Sequence, residues 1–500
     1  MTPDHIRAPT GRRQEVTAWL EPLPDAELMR ATDRWAIDEQ GVPSLDLMER
    51  AGTGLAALAA EHAAGGTVAI VCGKGNNGGD GLVAGRLLRE EGLDVRVLLL
   101  DPELKGDALA NLERVGETTP FAPGLLDGAA VVVDAVLGTG FAGEPREPAL
   151  GAIEAINGCD AAVVAADVPS GVDASTGEIA GAAVRADATA TFHASKPGLW
   201  IEPGKTYTGD VEVIEIGIPR GAPGAAAIGL IRPTVLDEIP RRQRNGTKFD
   251  SGHVLVCGGS PGLTGAPCLA ADAAMRAGAG YVTACVPSEL SAIFETRLLE
   301  VMTAPLDVDD VLERAQRGGA MVLGPGMGRL DNAQDIAREL ASRVELPLVL
   351  DADGLNAHAG RLADLAARSA ATVLTPHEGE LGRLLGVDST AIKARRLHHA
   401  CEAARTSGAI VVLKGDDTLV AAPDGRVAVN PGATPGLATA GTGDVLSGVL
   451  GAILAKGVEP FTAACAGVFL HAQAGIIAAE QIGIESVIAS DVIAALPAAR

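Results

Sequence analysis

Five hundred residues exceed what one hydrophobic core ordinarily serves, so two or more domains are expected. A formal net charge of −24 argues against non-specific partnership with nucleic acid or an anionic lipid surface. Apolar residues make up 47% but aromatics only 2%, so the core must be built from Ala, Val, Leu and Ile.

In chain order, residues 1–20 carry basic residues with no apolar run behind them. They read as a flexible tail, not a signal peptide. Helical patterns follow at 25–40 and 44–63. "TVAIVC" (67–72), "DVRVLLL" (94–100), "AVVVDAV" (130–136), "AAVVAAD" (161–167), "ATATFH" (188–193) and "VEVIEI" (211–216) read as strands, with further helices at 80–91 and 146–157. Continuous apolar strands alternating with helices imply a parallel sheet covered on both faces. A stretch rich in Gly, Pro and Arg then breaks the pattern. It sets a first domain at 21–222, a linker at 223–235 and a second domain at 236–500. The alternation resumes with strands at 253–259, 281–287, 320–326, 347–353, 371–377 and 409–415. A hairpin with a D-G turn follows at 417–430, then two Ala-rich helices near 442–456 and 460–480. No apolar stretch reads as long enough to span a membrane. The seven cysteines are scattered, with no C-x-x-C pair. That usage suits a reducing cytoplasm and does not suggest zinc.

Ligands of doubly wound sheets bind beyond the carboxyl ends of strands, and glycines and acids collect there in this sequence. "GKGNNGGDG" (73–81) is neither G-x-G-x-x-G nor a Walker A loop. Its adjacent amides, Asn76 and Asn77, call for a cation or polar ligand. After the next strand, Asp134 precedes "LGTGFAGEPRE" (137–147), where Gly138, Thr139 and Gly140 form an anion-cradling turn. Asp167 closes a third strand, and Ser170 follows in "VPSGVDASTGE" (168–178). Asn77, Asp134 and Ser170 thus offer hard oxygen ligands at one rim, with no Cys or His, which suits a hard cation.

"LMRATDRWAIDEQGVPSLDLMERAG", "GNNGGDGLVAGRLL", "DAVLGTGF", "DVPSGVDASTG" and "TFHASKPGL" together resemble the epimerase domain of the NAD(P)H-hydrate repair enzymes over about residues 25–217. The resemblance implies a Rossmann-like three-layer domain with potassium held by Asn77, Asp134 and Ser170. It implies contacts to the hydrated nicotinamide nucleotide from Asn76, Asn77, Gly78, Gly79 and Asp80, and from Gly138, Thr139, Gly140, Phe141, Ala142, Gly143 and Glu144. Asp167 would face the reactive ring and transfer a proton, with Lys196 of "SKPG" a second candidate. Lys74 stands where that family usually has a Gly-Pro or similar pair.

In the second half, "GTGD" (441–444) opens an apolar helix whose free amides suit a transferred phosphoryl group. Like charges repel, so the use of Asp444 beside phosphate is to accept the proton of an attacking hydroxyl. With "KFDSGHVLVCGGSPGLTGAP", "GPGMG", "TPHEGE" and "VLKGDDTLV", this half resembles the ribokinase-like superfamily. It is more closely similar to the ADP/ATP-dependent NAD(P)H-hydrate dehydratases, over about 236–496. The resemblance implies that Ala266, Gly326, His377 and Asp444 contact the hydrated dinucleotide. Lys414, Gly415, Asp416, Asp417, Thr418 and Gly443 would hold ADP or ATP with Mg²⁺. Glu378 stands where that family often has Pro.

The expected function is therefore repair of hydrated NADH and NADPH: epimerisation of the R and S hydrates, then nucleotide-driven dehydration of the S form. A ribokinase-like small-molecule kinase with a regulatory nucleotide-binding domain is the alternative, and a scaffold role for the first half a third reading. The expected partners are small molecules, with no nucleic acid or membrane, in a homo-oligomer.

Overall fold

The computed structural model describes residues 18–500. Seven all-parallel strands form the first sheet, in the order Thr119–Pro120, Val95–Leu99, Val68–Cys72, Val131–Ala135, Ala162–Ala166, Ala188–Phe192, Asp210–Ile214. Val68, Ile70 and Cys72 face one way, onto helices Ser44–Ala63, Asn76–Glu90 and Gly106–Val115. Ala69 and Val71 face the other way, onto helix Ala149–Asn157. Strand residues point alternately to the two faces, so a strand apolar throughout is covered on both. The result is the expected three-layer α/β architecture.

The second sheet has eleven strands, with His253–Cys257 flanked by Tyr281–Val286 on one side and Ala320–Leu323 on the other. Leu348–Leu350, Thr372–Leu374 and Ile410–Leu413 extend the parallel run. Leu419–Ala421 and Val427–Val429 then form an antiparallel hairpin, with Gly425 at φ +97° in its D-G turn. Val254 and Val256 pack with helices Gly265–Arg276, Thr442–Ala455 and Pro460–Ile482, while Leu255 and Cys257 pack with Asp331–Arg343 and Arg396–Ser407.

Three expectations change. Residues 1–17 of the expected tail lie outside the described residues, but Trp19 is buried and Leu20–Pro22 is a strand. The stretch 223–235, expected as a linker, contains strand Ile228–Ile231, which pairs with Leu20–Pro22 and with Val427–Val429. Both segments are short and weakly periodic, so only long-range pairing identifies them. Helix Pro460–Ile482 is also long and apolar enough to cross a membrane by length and composition. It serves the second core instead, and its most apolar window is 78% buried.

Candidate active sites

In the first sheet the chain runs outward in opposite directions from Val68–Cys72 and Val131–Ala135, which are neighbours. The crevice beyond their carboxyl ends is the topological switch point. A cavity of about 690 Å³ opens there. Glycine makes the approach possible. A Cβ on Gly78 would collide with the carbonyl of Gly73, and one on Gly73 with the carbonyl of Val136. The helix therefore begins at Asn76, four residues earlier than expected, and Asn77 and Asp80 lie on its first turns.

Asn76, Asn77 and Asp80 line the cavity, as do Gly138, Thr139, Gly140 and Phe141. Ala142, Gly143 and Glu144 are exposed and do not line it, and Gly78 and Gly79 are buried behind it. Asp134 and Ser170 lie fully buried and bonded together. Ser170 donates to Asp134 from its amide at 2.8 Å and from Oγ at 2.6 Å, and Val136 N donates at 3.2 Å. Burial pushes the Asp134 carboxyl up to about 6, against those hydrogen bonds.

Asp167 holds a left-handed backbone at φ +66°, an uncommon conformation for a side-chain-bearing residue. Its Oδ1 takes a 2.6 Å bond from Lys196 Nζ, and its Oδ2 takes bonds from the Thr139 amide, at 3.1 Å, and the Thr139 hydroxyl. Burial alone would raise this carboxyl. The Lys196 ammonium and the hydrogen bonds outweigh it and hold Asp167 below the usual carboxylate range. Lys196 is 1% exposed, and its other donors go to Thr191 Oγ1 at 2.9 Å and Phe192 O at 2.8 Å. It positions Asp167 and has no donor left for a phosphate. Lys74 is exposed at the cavity rim.

The second site gathers at the carboxyl ends of the other sheet. Gly441 takes φ +91° and starts helix Thr442–Ala455, placing Asp444 in its first turn. Lys414, just after strand Ile410–Leu413, reaches back to Asp351 Oδ1 at 3.3 Å and Glu380 Oε2 at 3.6 Å. A Cβ on Gly443 would lie 3.5 Å from its Nζ, so lysine and helix N-terminus adjoin. Burial, then the Asp351 charge, push Asp444 up to about 7, with Lys414 opposing. Burial works against the charge of Lys414, but Asp351 and Glu380 outweigh it and raise its pKa.

The remaining predicted residues divide. Gly326, at φ +62°, packs against Ala266, and its carbonyl accepts from Ser260 Oγ at 2.9 Å. His377 caps helix Glu378–Leu385: its Nδ1 accepts from Gly379 N at 3.0 Å while Glu380 accepts from His377 N at 2.9 Å. Glu378 is paired with Arg396 at 2.7 Å. In the turn after Lys414, Thr418 Oγ1 donates to Gly415 O at 2.6 Å. Asp417 is 1% exposed and accepts from Arg396 Nε and from Glu202 N, each at 2.9 Å, while Asp416 pairs with Lys205. The two acids of this turn thus bind protein, leaving its backbone and Lys414 for a ligand.

Residues 44–198 match the family described as YjeF-related protein N-terminus, and residues 254–498 the family described as NAD(P)H-hydrate dehydratase. A bifunctional NAD(P)H-hydrate repair enzyme Nnr of Moorella thermoacetica is 40% identical to this chain, covering 95% of it and 96% of the relative. The chain belongs to the family of bifunctional NAD(P)H-hydrate repair enzymes. A relative of the same name from Salinibacter ruber is 39% identical over 97% of both chains. An ADP/ATP-dependent NAD(P)H-hydrate dehydratase of Bacillus subtilis, co-crystallised with ATP/Mg²⁺, is 28% identical, with a TM-score of 0.48 over 53% of this chain and 94% of that one.

The residues present fit the potassium ion that the motifs of this repair-enzyme family imply. The Asn77 amide is buried with neither polar atom hydrogen-bonded among the described residues, beside Gly138. A buried amide left so is costly unless a ligand meets it. The sequence reading missed Asp33 and the apolar wall it sits in. Met29, Asp33 and Ile37 line the cavity at i, i+4 spacing, so one acid on an otherwise apolar helical stripe was the available signal.

Proposed function

We propose that the first site interconverts the R and S hydrates of NADH and NADPH, and that the second dehydrates the S form at the expense of ADP or ATP. One observation carries the reading: a single chain holds two separate carboxylate–lysine sites tuned in opposite directions, Asp167 with Lys196 and Asp444 with Lys414. A lone kinase fused to an inert module would have no use for the first.

At the second site, Asp444 takes the proton of the C6 hydroxyl as the terminal phosphoryl group of the nucleotide is transferred to that oxygen. Phosphate then leaves with the C6–O pair. The ring-nitrogen lone pair assists that departure, the leaving phosphate takes a proton from C5, and the C5–H pair re-forms the C5–C6 double bond as the iminium pair returns to N1. The products are NAD(P)H, phosphate, and AMP from ADP or ADP from ATP. Lys414 and the free amides at Thr442–Asp444 offset the developing charge on the phosphoryl oxygens. A bound magnesium ion supplies further neutralisation of nucleotide charge. At the first site Asp167 transfers the proton, and Asn77, Asp134 and Ser170 would hold potassium, which would compensate the Asp134 charge when bound. The seven cysteines, all unbridged, accord with a cytoplasmic setting.

The deciding experiment supplies mixed R and S NADH hydrate, ADP and Mg²⁺ and follows reduced-nicotinamide absorbance. Full recovery of NADH is expected. Recovery of the S fraction alone, beyond spontaneous epimerisation, would remove the first activity. No recovery with turnover of another alcohol would make the chain a kinase.

A further inference from the structure

We propose that Asp80 is the general acid of the first site and works opposite Asp167 as base, so that epimerisation replaces the C6 oxygen of the hydrate with one from water. The inference rests on reading that site as the epimerase.

Three carboxyl groups, of Asp33, Asp80 and Asp167, line one cavity with one buried cation, Lys196. The ammonium spends its three donors on Asp167, Thr191 and Phe192. Asp80 is 8% exposed, and its carboxyl takes no hydrogen bond from a described residue. Burial, then the charges of Asp167 and Asp33, hold it well above the usual carboxylate range, with Lys196 opposing weakly. The other charged groups at the cavity are Arg30 and Lys74, exposed at its rim, and the half-buried Asp101 and Asp107. The Cys72 thiol is buried close by and pushed up to about 12, so it stays neutral. One carboxyl is thus pushed toward its neutral form and its partner toward the ionised form, within one cavity, the pairing of environments that assigns acid and base.

The placement suits inversion at a carbon. Asp80 sits on the helix after Val68–Cys72, and Asp167 directly after Ala162–Ala166, with Val131–Ala135 between them. Two strand spacings separate these elements by roughly 9–10 Å of sheet. Inverting glycosidases keep an acid and a base apart on opposite faces of an acetal carbon to leave room for water. The C6 carbon of the hydrate bears a hydroxyl and a ring nitrogen and is cleaved by the same logic. Asp80 donates its proton as the C6–O bond breaks, water departs with the bonding pair, and the N1 lone pair forms an iminium. A second water attacks C6 from the other face and passes its proton to Asp167, and the iminium pair returns to N1. Asp80 ends ionised and Asp167 protonated, the starting state for the reverse direction.

The test uses the full chain with R-enriched NADH hydrate, ADP and Mg²⁺, so that dehydration of the S form reports epimerisation. Asp80→Asn is expected to slow loss of the R form about 10²–10⁴-fold. Dehydration of supplied S hydrate at the second site is the internal control. Wild-type epimerisation should fall as pH rises through the Asp80 titration; Asp80→Glu should keep that limb and Asp80→Asn lose it. In ¹⁸O-water, wild-type turnover should install the label at C6 with each inversion. Wild-type speed in Asp80→Asn overturns the proposal, as does retention of the original oxygen, a readout that needs no variant and decides even where Asp80→Asn fails to fold. A wild-type chain that leaves the R form at its spontaneous rate instead overturns the epimerase reading itself.

Discussion

Asp167 and Asp444 are each a carboxylate near a lysine, yet one is held below and the other far above its ordinary range. The difference lies in what each lysine must serve. Lys196 meets Asp167 directly, whereas Lys414 is shared with Asp351 and Glu380, which add negative charge around Asp444. A base with a pKa of about 7 is protonated below it, so dehydration should fall as pH drops through 7 in a rate profile with saturating nucleotide. Asp444→Asn should cut dehydration about 10²–10⁴-fold and leave epimerisation intact. Removing Lys196 strands the Asp167 charge between Asp33 and Asp80. Breaking such a buried pair costs about 3–5 kcal/mol, so Lys196→Ala should lower the thermal midpoint of the first half. It should also move the acid limb of epimerisation to higher pH, because Asp167 loses the charge that keeps it ionised. Both acids were legible as strand-end or helix-start residues. The opposite tuning was not, because it depends on neighbours such as Asp351 that are distant in sequence.

At the scale of elements, the strand-to-helix turn at 73–78 does the positioning. Its glycines are fixed by backbone approach: Gly78 against Gly73, and Gly73 against the strand end at Val136. Overpacking ordinarily costs about 1–3 kcal/mol, and here the obstacle is backbone, which yields less readily than a side chain. Gly78→Ala should therefore abolish epimerisation, measured as loss of the R hydrate, while dehydration of supplied S hydrate continues. The central strands were readable because they are short apolar runs bounded by Gly, Asp or Pro, whereas the short strands Leu20–Pro22, Thr119–Pro120, Ile228–Ile231 and Met302–Pro305, at or next to sheet edges, were not. The helix start was not, because Asn and Gly are poor helix formers, and what overrides them is the packing of Asn76–Glu90 on helix Ser44–Ala63 and the sheet. The helix start after Gly441 was read correctly, since an apolar helix follows it without interruption.

At the scale of the molecule, the two halves are stitched together. The Leu20–Pro22 strand precedes the first sheet in sequence but completes the edge of the second, and Trp19 lies 6.3 Å from Phe461 between ring centroids. The segment 202–205, just beyond Lys196, holds both acids of the turn after Lys414, and Arg395 meets Glu178 at 3.2 Å. Trp19→Ala removes a nearly fully buried ring, a change worth about 3–5 kcal/mol. It should lower the unfolding midpoint of dehydratase activity more than that of epimerase activity, although Trp19 lies on the epimerase side of the chain. A fragment of residues 236–500 should be less stable than the same half in the full chain, read by thermal inactivation of dehydration, because it lacks Leu20–Pro22 and Ile228–Ile231, the two outermost strands at one edge of its sheet.

The amino-acid sequence alone determined the α/β class, the two sets of strand-end motifs and the family, because these are written in local runs of apolar residues and in turns that tolerate few alternatives. Only the tertiary structure decided which acids share a cavity, which lysine is already spent, which acids of the turn after Lys414 bind protein, and that the first strand belongs to the second sheet. Those outcomes depend on charge and burial across tens to hundreds of residues, where no local pattern records them.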